Sequence, residues 1–270
     1  MSQATNPNRG RYLALYLTAE HPCSYLEGRQ ARTLFVDPSA RIDNATYQVL
    51  IDQGFRRSGA HIYRPACRGC SACVPVRIPV ETFRPDRSQR RNWKRNATDF
   101  VLVDTPATFN PEHFDLYRRY LARRHADGSM ADDASEESYR RFLVEPWGGA
   151  TRFIELRLDG QLVGVAVTDR LDSGLSAVYT LFDPDHAGRA PGTFAVLCQI
   201  EAARRLGLPY LYLGYWIEKS RKMAYKARFR PIEAWNGRHW IRFERSAPLH
   251  PESIQRQAQW LGANGPAMAS

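Results

Sequence analysis

The chain has 270 residues, 43% hydrophobic and 24% charged, with a formal net charge of +10. That length suits one large α/β domain or two small ones, and no apolar run is long enough to span a bilayer. The opening MSQATNPNRGRYLALYL lacks the apolar core and cleavage site of a signal peptide, and five unevenly spaced cysteines make no disulfide framework, so a cytoplasmic protein is expected.

The charge is clustered. Between Arg56 and Arg95 stand eleven Lys and Arg residues against Glu81 and Asp86. A basic field of this density predicts a polyanionic partner and salt-dependent binding, where scattered charge would mean only a solubilising face.

The chain divides near residue 98. The part over 1–98 is irregular, basic and cysteine-bearing. It holds a helix at 44–53 stopped by Gly54 and a strand at 61–64. The run VPVRIPV, with Val74, Val76, Ile78 and Val80 alternating, reads as a strand that Pro75 and Pro79 assign to a sheet edge. RSQRRNWKRN (87–96) is a very basic helix. Over 99–245 come a strand at 99–105 and a helix at 111–125 with Phe114, Tyr117 and Leu121 on one face. A second helix at 135–143 opens on a Ser cap and two acids. TRFIELRL and QLVGVAVTDRL flank Asp159-Gly160, a hairpin signal. A strand at 174–182 is followed by the loop DPDHAGRA, a helix closed by Gly207, a strand at 209–215 and a hairpin at WNGRHW. Residues 246–270, rich in Pro, Gln, Asn and Ala, read as a frayed tail.

This order of strands, glycine loop, helix and strand resembles the GNAT acyltransferase fold. The expected class is therefore α/β (α+β), a GNAT-like domain with a smaller N-terminal cysteine-bearing domain. GNAT acetyltransferases place a cation first in the loop, where this chain has Asp185 ahead of Gly188 and Ala190. A carboxylate beside a pyrophosphate is repulsive, so the acyl donor is expected to be something other than coenzyme A. An ordinary strand-to-helix turn is the alternative.

Cys67-x-x-Cys70-x-x-Cys73, with Cys23 as a fourth thiol, suits zinc or a [4Fe–4S] cluster; buried reduced thiols are the alternative. Cys198, mid-helix, reads as core. In YLYLGYWIEKSRKMAYKARFRP (210–231), Tyr212, Tyr215, Trp216, Tyr225 and Phe229 interleave with Lys219, Arg221, Lys222, Lys226, Arg228 and Arg230. Such aromatics stack on unpaired bases while the cations hold phosphates, as a CCA end would require; or the aromatics are core and the cations a solvated rim.

Taken together, HPCSYL (21–26), ARTLFVDP (31–38), GFRRSGAHIYRPACRGCSACVPVRIPV (54–80), RSQRRNWKRN (87–96), VYTLFDP (178–184) and YLYLGYWIEKSRKMAYKARFRPIE (210–233) resemble the bacterial aspartate/glutamate leucyltransferases (leucyl-tRNA–protein transferases), relatives of the eukaryotic arginyltransferases. The resemblance implies transfer of leucine from Leu-tRNA to proteins beginning with Asp or Glu, which marks them for degradation. It departs at Leu26, where arginyltransferases usually carry a second cysteine.

An aminoacyl ester is already activated, so no cofactor is needed for the transfer itself. The enzyme must orient the ester, accept a proton and stabilise an oxyanion. The candidates are Tyr179 and Asp183 as catalytic residues, and Gly188, Arg189, Gly192, Tyr212, Tyr215, Trp216, Lys222, Tyr225 and Lys226 for the charged tRNA. Arg77 is the candidate for the acidic acceptor, and Cys23, Cys67, Cys70 and Cys73 for zinc or an iron–sulfur cluster. Rival classes are an arginyl-tRNA–protein transferase, a coenzyme A-dependent N-acetyltransferase and a non-catalytic tRNA-binding metalloprotein.

Overall fold

A computed structural model describes residues 12–124 and 134–254. Strands β1 (Leu15–Leu17), β4 (Thr33–Val36), β5 (Arg56–Ser58) and β6 (His61–Pro65) form a small antiparallel sheet in the order β1-β4-β6-β5. Strands β2 (His21–Pro22) and β3 (Gln30–Ala31) pair separately. Helix α1 (Asn44–Asp52) starts where the Asp43 carboxylate accepts the Thr46 N–H, and it buries Tyr47, Leu50 and Ile51. Gly54, at φ +83°, turns the chain out of that helix.

The larger sheet has eight strands. Strand β7 is Val74–Pro79. Four more form an antiparallel meander: β8 (Phe100–Pro106), β9 (Ala150–Leu158), β10 (Gln161–Arg170) and β11 (Gly174–Phe182). The β9–β10 turn puts Asp159 and Gly160 at φ +51° and +81°, the paired left-handed conformations of a tight hairpin. Strand β12 (Tyr210–Trp216) lies parallel to β11, and that parallel step is bridged by helix α5 (Pro191–Arg205). With β13 (Ile232–Trp235) and β14 (Trp240–Phe243) the order is β14-β13-β7-β12-β11-β10-β9-β8.

The strand expected at an edge is instead internal. β7 lies between β12 and β13, and the ladder to β13 uses only Val76 and Arg77. Pro75 and Pro79 fall outside that short ladder but within the one to β12, opposite Tyr215 and Tyr210. Strand β7, which precedes residue 98, thus lies within the large sheet together with the strands that follow it.

Helix α2 (Arg87–Asn96) has a capping box between Asp86 and Gln89. Helix α3 (Pro111–Arg124) and the short α4 (Glu136–Tyr139) pack Leu116, Tyr117, Tyr120, Leu121 and Tyr139 against Phe153, Val165, Val167 and Leu181. Phe194, Ala195 and Cys198 of α5 pack against Phe100, Leu156, Val163 and Ala166. Cys198 is core, as read. The start of the expected tail is packed too: Leu249 and Ile254 are buried beside Trp216 and Phe229, while 255–270 lie outside the described residues. No described helix is long and apolar enough to cross a membrane.

Candidate active site

The parallel ladder between β11 and β12 covers only Gly174–Ser176 against Tyr210–Tyr212. Past Ser176 the two strands no longer pair, and β11 runs on towards the glycine loop. Unpaired carbonyls inside a protein need donors, and here both donors are cations. Arg56 gives one N–H to the Ala177 carbonyl at 2.7 Å and another to Ser176 Oγ at 3.0 Å. Lys226 Nζ donates to the Tyr215 carbonyl at 2.6 Å. Gly214 makes room for this: its φ is +78°, and a Cβ there would lie 2.9 Å from Arg56 Nε.

Arg56 is 8% exposed and Lys226 6%. Among the described residues neither forms an ion pair with a carboxylate. Burial, then the charge of Arg56, lowers the Lys226 ammonium to about 7. The strand gap therefore holds the uncompensated charge of Arg56 beside a lysine amine that gains and loses its proton near neutrality. Lys226, expected to hold a tRNA phosphate, is instead buried with its amine on the Tyr215 carbonyl.

The glycine loop is a 3₁₀ turn, Pro184–Arg189, and Ala190 enters α5 in the left-handed region at φ +50°. Asp183 caps the turn: Oδ1 accepts the Asp185 N–H at 3.0 Å, and Oδ2 accepts from Arg119 at 2.6 Å. Burial pushes its carboxyl up, but the Arg119 and Asp185 bonds outweigh that and hold it below the usual range. It is an ionised anchor for the loop. Tyr179 is half-buried beside Tyr120 and Phe142, and burial drives its hydroxyl far above the ordinary tyrosine range. Gly188 and Gly192 lie in the loop and at the start of α5. Arg189 is tied to Asp99 at 2.7 Å, and its carbonyl accepts from Asn92 and Asn96.

The aromatic run does not form one stacking surface. Tyr212 is buried and its hydroxyl donates to Asp52 at 2.6 Å; Tyr215 is buried and bonds the Gly54 and Tyr63 carbonyls; Trp216 is 2% exposed in the core. Alternate residues of a central strand must point into the two packed faces, which is why this run is core. Tyr225, 41% exposed, and the exposed Lys222 remain at the surface.

Arg77 is not free to receive an acceptor. Its guanidinium sits 3.6 Å from the Tyr210 ring and 4.3 Å from that of Trp240, and it pairs with Glu233 at 2.7 Å and Asp52 at 3.1 Å. Two carboxylates already neutralise it.

The four thiols at 23, 67, 70 and 73 are all free and partly buried. Burial, then the neighbouring Cys23, Cys67 and Cys70, pushes the Cys73 thiol up to about 12, so the four share one neighbourhood. The Arg32 N–H points at Cys67 Sγ at 3.4 Å, the kind of bond that eases charge on a thiolate. Four thiols are the donor chemistry of a thiophilic ion, but among the described residues no three His, Cys, Asp or Glu side chains are placed to hold a metal.

Sequence reasoning missed Arg56, Asn92 and Asn96. The available signals were a glycine at 214 inside an apolar strand and two amides among the arginines of 87–96.

Family models for arginine-tRNA-protein transferases match this chain twice, the N-terminal model over residues 21–91 and the C-terminal model over 112–236. An aspartate/glutamate leucyltransferase of Stenotrophomonas maltophilia (strain K279a) is 53% identical over 247 residues, 89% of this chain and 97% of its own. Those of Chromohalobacter salexigens and Marinobacter nauticus are 52% and 54% identical, covering 90% and 85% of this chain and 98% and 96% of theirs. The chain belongs to the aminoacyl-tRNA–protein transferases. A solved lysylphosphatidylglycerol synthetase domain from Agrobacterium fabrum is 16% identical, with a TM-score of 0.41 over 66% of this chain and 53% of that one. Membership of that family, at 53% identity to a leucyltransferase, makes the chain a tRNA-dependent aminoacyltransferase, and the acetyltransferase and non-catalytic alternatives fall away.

Proposed function

We propose that this transferase moves leucine from Leu-tRNA to the α-amine of cytoplasmic proteins beginning with Asp or Glu, marking them for degradation, and that a GNAT-like domain does so at the gap between β11 and β12. The observation that carries the reading is the pair Arg56 and Lys226, buried at that gap without a carboxylate partner. An acceptor whose first side chain is a carboxylate supplies the missing charge. These two residues take the role that sequence reasoning assigned to Arg77. The names of the relatives, aspartate/glutamate leucyltransferases, support the same acceptor and donor.

The free α-amine has a pKa of about 8, so a modest base or water deprotonates it. Its nitrogen forms a bond to the ester carbonyl carbon, the ester C–O bond breaks, and the terminal ribose oxygen leaves as a hydroxyl carrying the proton. The loop from Asp183 to Ala190 and the start of α5 hold the donor end and supply N–H groups to the oxyanion. Cys23, Cys67, Cys70 and Cys73 would hold zinc or a [4Fe–4S] cluster, which would tie the segment around Cys23 to the Cys67–Cys73 loop.

Radiolabelled Leu-tRNA is incubated with peptides beginning Asp, Glu, Lys or Ala. Label enters the Asp and Glu peptides; equal labelling of all four overturns acidic recognition. The matching family models, those of arginine-tRNA-protein transferases, favour Arg-tRNA as a second donor to be run alongside, and preference for it moves the protein to the arginyl branch.

A further inference from the structure

Helix α2 has two faces with different chemistry. Its inner face carries Gln89, Asn92, Trp93 and Asn96, at helical spacing. Trp93 packs on Phe194 of α5, with ring centroids 5.5 Å apart, and Gln89 reaches the Arg228 carbonyl at 3.2 Å. Asn92 and Asn96 donate to the Arg189 carbonyl at 2.9 and 3.0 Å, and Arg95 donates to that of Gly188 at 3.2 Å. The helix is thereby bonded to the donor loop through the loop's own carbonyls.

The outer face carries Arg87, Arg90, Arg91, Lys94 and Arg95, all exposed. Some exposed arginines elsewhere hold carboxylates, Arg204 with Glu201 and Arg242 with Glu244, while Arg68, Arg170 and Arg221 stand singly with no ion pair among the described residues. Among the described residues no such ion pair reaches the cations of α2. They instead stand three and four residues apart, where like charges repel. The helix tolerates this because its capping box and Trp93 hold it, and a polyanion laid along the face would remove the repulsion. The row begins at the donor loop and leads away from it for roughly 12 Å, at about 1.5 Å per residue. A rigid row leading away from the reacting ester matches duplex phosphates behind a CCA end better than the short single strand itself.

We infer that the outer face of α2 grips the backbone of the tRNA acceptor stem, and that Asn92, Asn96 and Arg95 couple this grip to the position of the donor loop. The inference rests on charged tRNA as the donor. It assigns the stem to a surface other than the 210–231 run.

The test replaces Arg87, Arg91 and Lys94 together with Gln, which keeps helix propensity. Transfer to a Glu-peptide is measured from full Leu-tRNA and from a leucyl-CCA oligonucleotide, and binding of uncharged tRNA is titrated between about 50 and about 200 mM salt. The triple variant should lose kcat/KM on the order of 100-fold with Leu-tRNA, and the salt slope of tRNA binding should flatten by about 0.9 for each contact removed. Its rate with the oligonucleotide should stay within about twofold of the parent. Equal losses with both donors, or an unchanged salt slope, overturn the inference. Failure of the unsubstituted protein to use Leu-tRNA would count against leucine as the donor, while the tRNA-binding slope would still decide the role of the helix.

Discussion

Arg57 and Asp169, 112 residues apart in sequence, form a two-pronged ion pair that is sealed from solvent. Nε meets Oδ2 at 2.6 Å and the second prong closes at 2.5 Å, with side-chain exposures of 2% and 0%. Thr151 donates to the same carboxylate, and Trp147 lies against the guanidinium. This pair locks the small sheet onto β10. Asp169→Ala strands a buried guanidinium and should cost about 3–5 kcal/mol in urea unfolding. Combining it with Arg57→Met should recover much of that loss, and a double variant as unstable as the single one would refute the coupling.

Lys226 should make stability rise with pH. Its folded value is about 7 against an ordinary 10.5, so from about pH 7 upward the unfolded chain holds a proton that the folded chain has released. The charge penalty is complete below that window and fades through it. The groups facing the amine are Arg56, Cys73, the Met223 thioether, the Tyr215 carbonyl and the Tyr225 ring. Lys226→Met should be more stable than the parent near pH 6, with the gain shrinking towards about pH 10. The same variant should raise KM for a Glu-peptide on the order of tenfold, as loss of one charged hydrogen bond does. An unchanged KM would remove Lys226 from the acceptor site.

Asp183→Asn separates anchor from acceptor ligand. Both carboxylate oxygens are engaged within the fold, so the substitution should loosen the loop and weaken use of Leu-tRNA while leaving KM for the peptide unchanged. A rise confined to the peptide KM would instead make Asp183 a ligand of the acceptor ammonium.

Tyr215 and Tyr225 should part company. Tyr215→Ala removes a buried ring with two hydrogen bonds and should cost about 3–5 kcal/mol of stability. Tyr225→Ala should leave stability nearly unchanged and weaken Leu-tRNA use by about 1–3 kcal/mol if a base stacks there. Comparing unfolding with kcat/KM for each variant decides between these outcomes.

Protein purified without oxygen should contain about one equivalent of zinc, or the iron of one cluster, and Cys70→Ser should lose it together with several degrees of Tm. Fully active protein with less than about a tenth of an equivalent would leave the four thiols as packing groups.

The local elements were legible because their signals are local. The strand at 174–182, the basic helix at 87–96 and the Asp159-Gly160 turn all follow from periodicity and turn chemistry within a few residues. The family was legible from long runs of residue identity. Legibility ended where a side chain's role depends on what the fold brings against it. Arg56, Arg57, Arg77 and Lys226 are indistinguishable as cations in the sequence. The tertiary structure seals Arg57 on Asp169, neutralises Arg77 with Glu233 and Asp52, and buries Arg56 and Lys226 on the carbonyls that β11 and β12 free as they part. Likewise the aromatic run read equally as a base-stacking surface or as core, and β12 became core only because β7 pairs beside it. Composition fixes how many charges and rings there are; long-range pairing decides which of them meet water, a carboxylate or nothing at all.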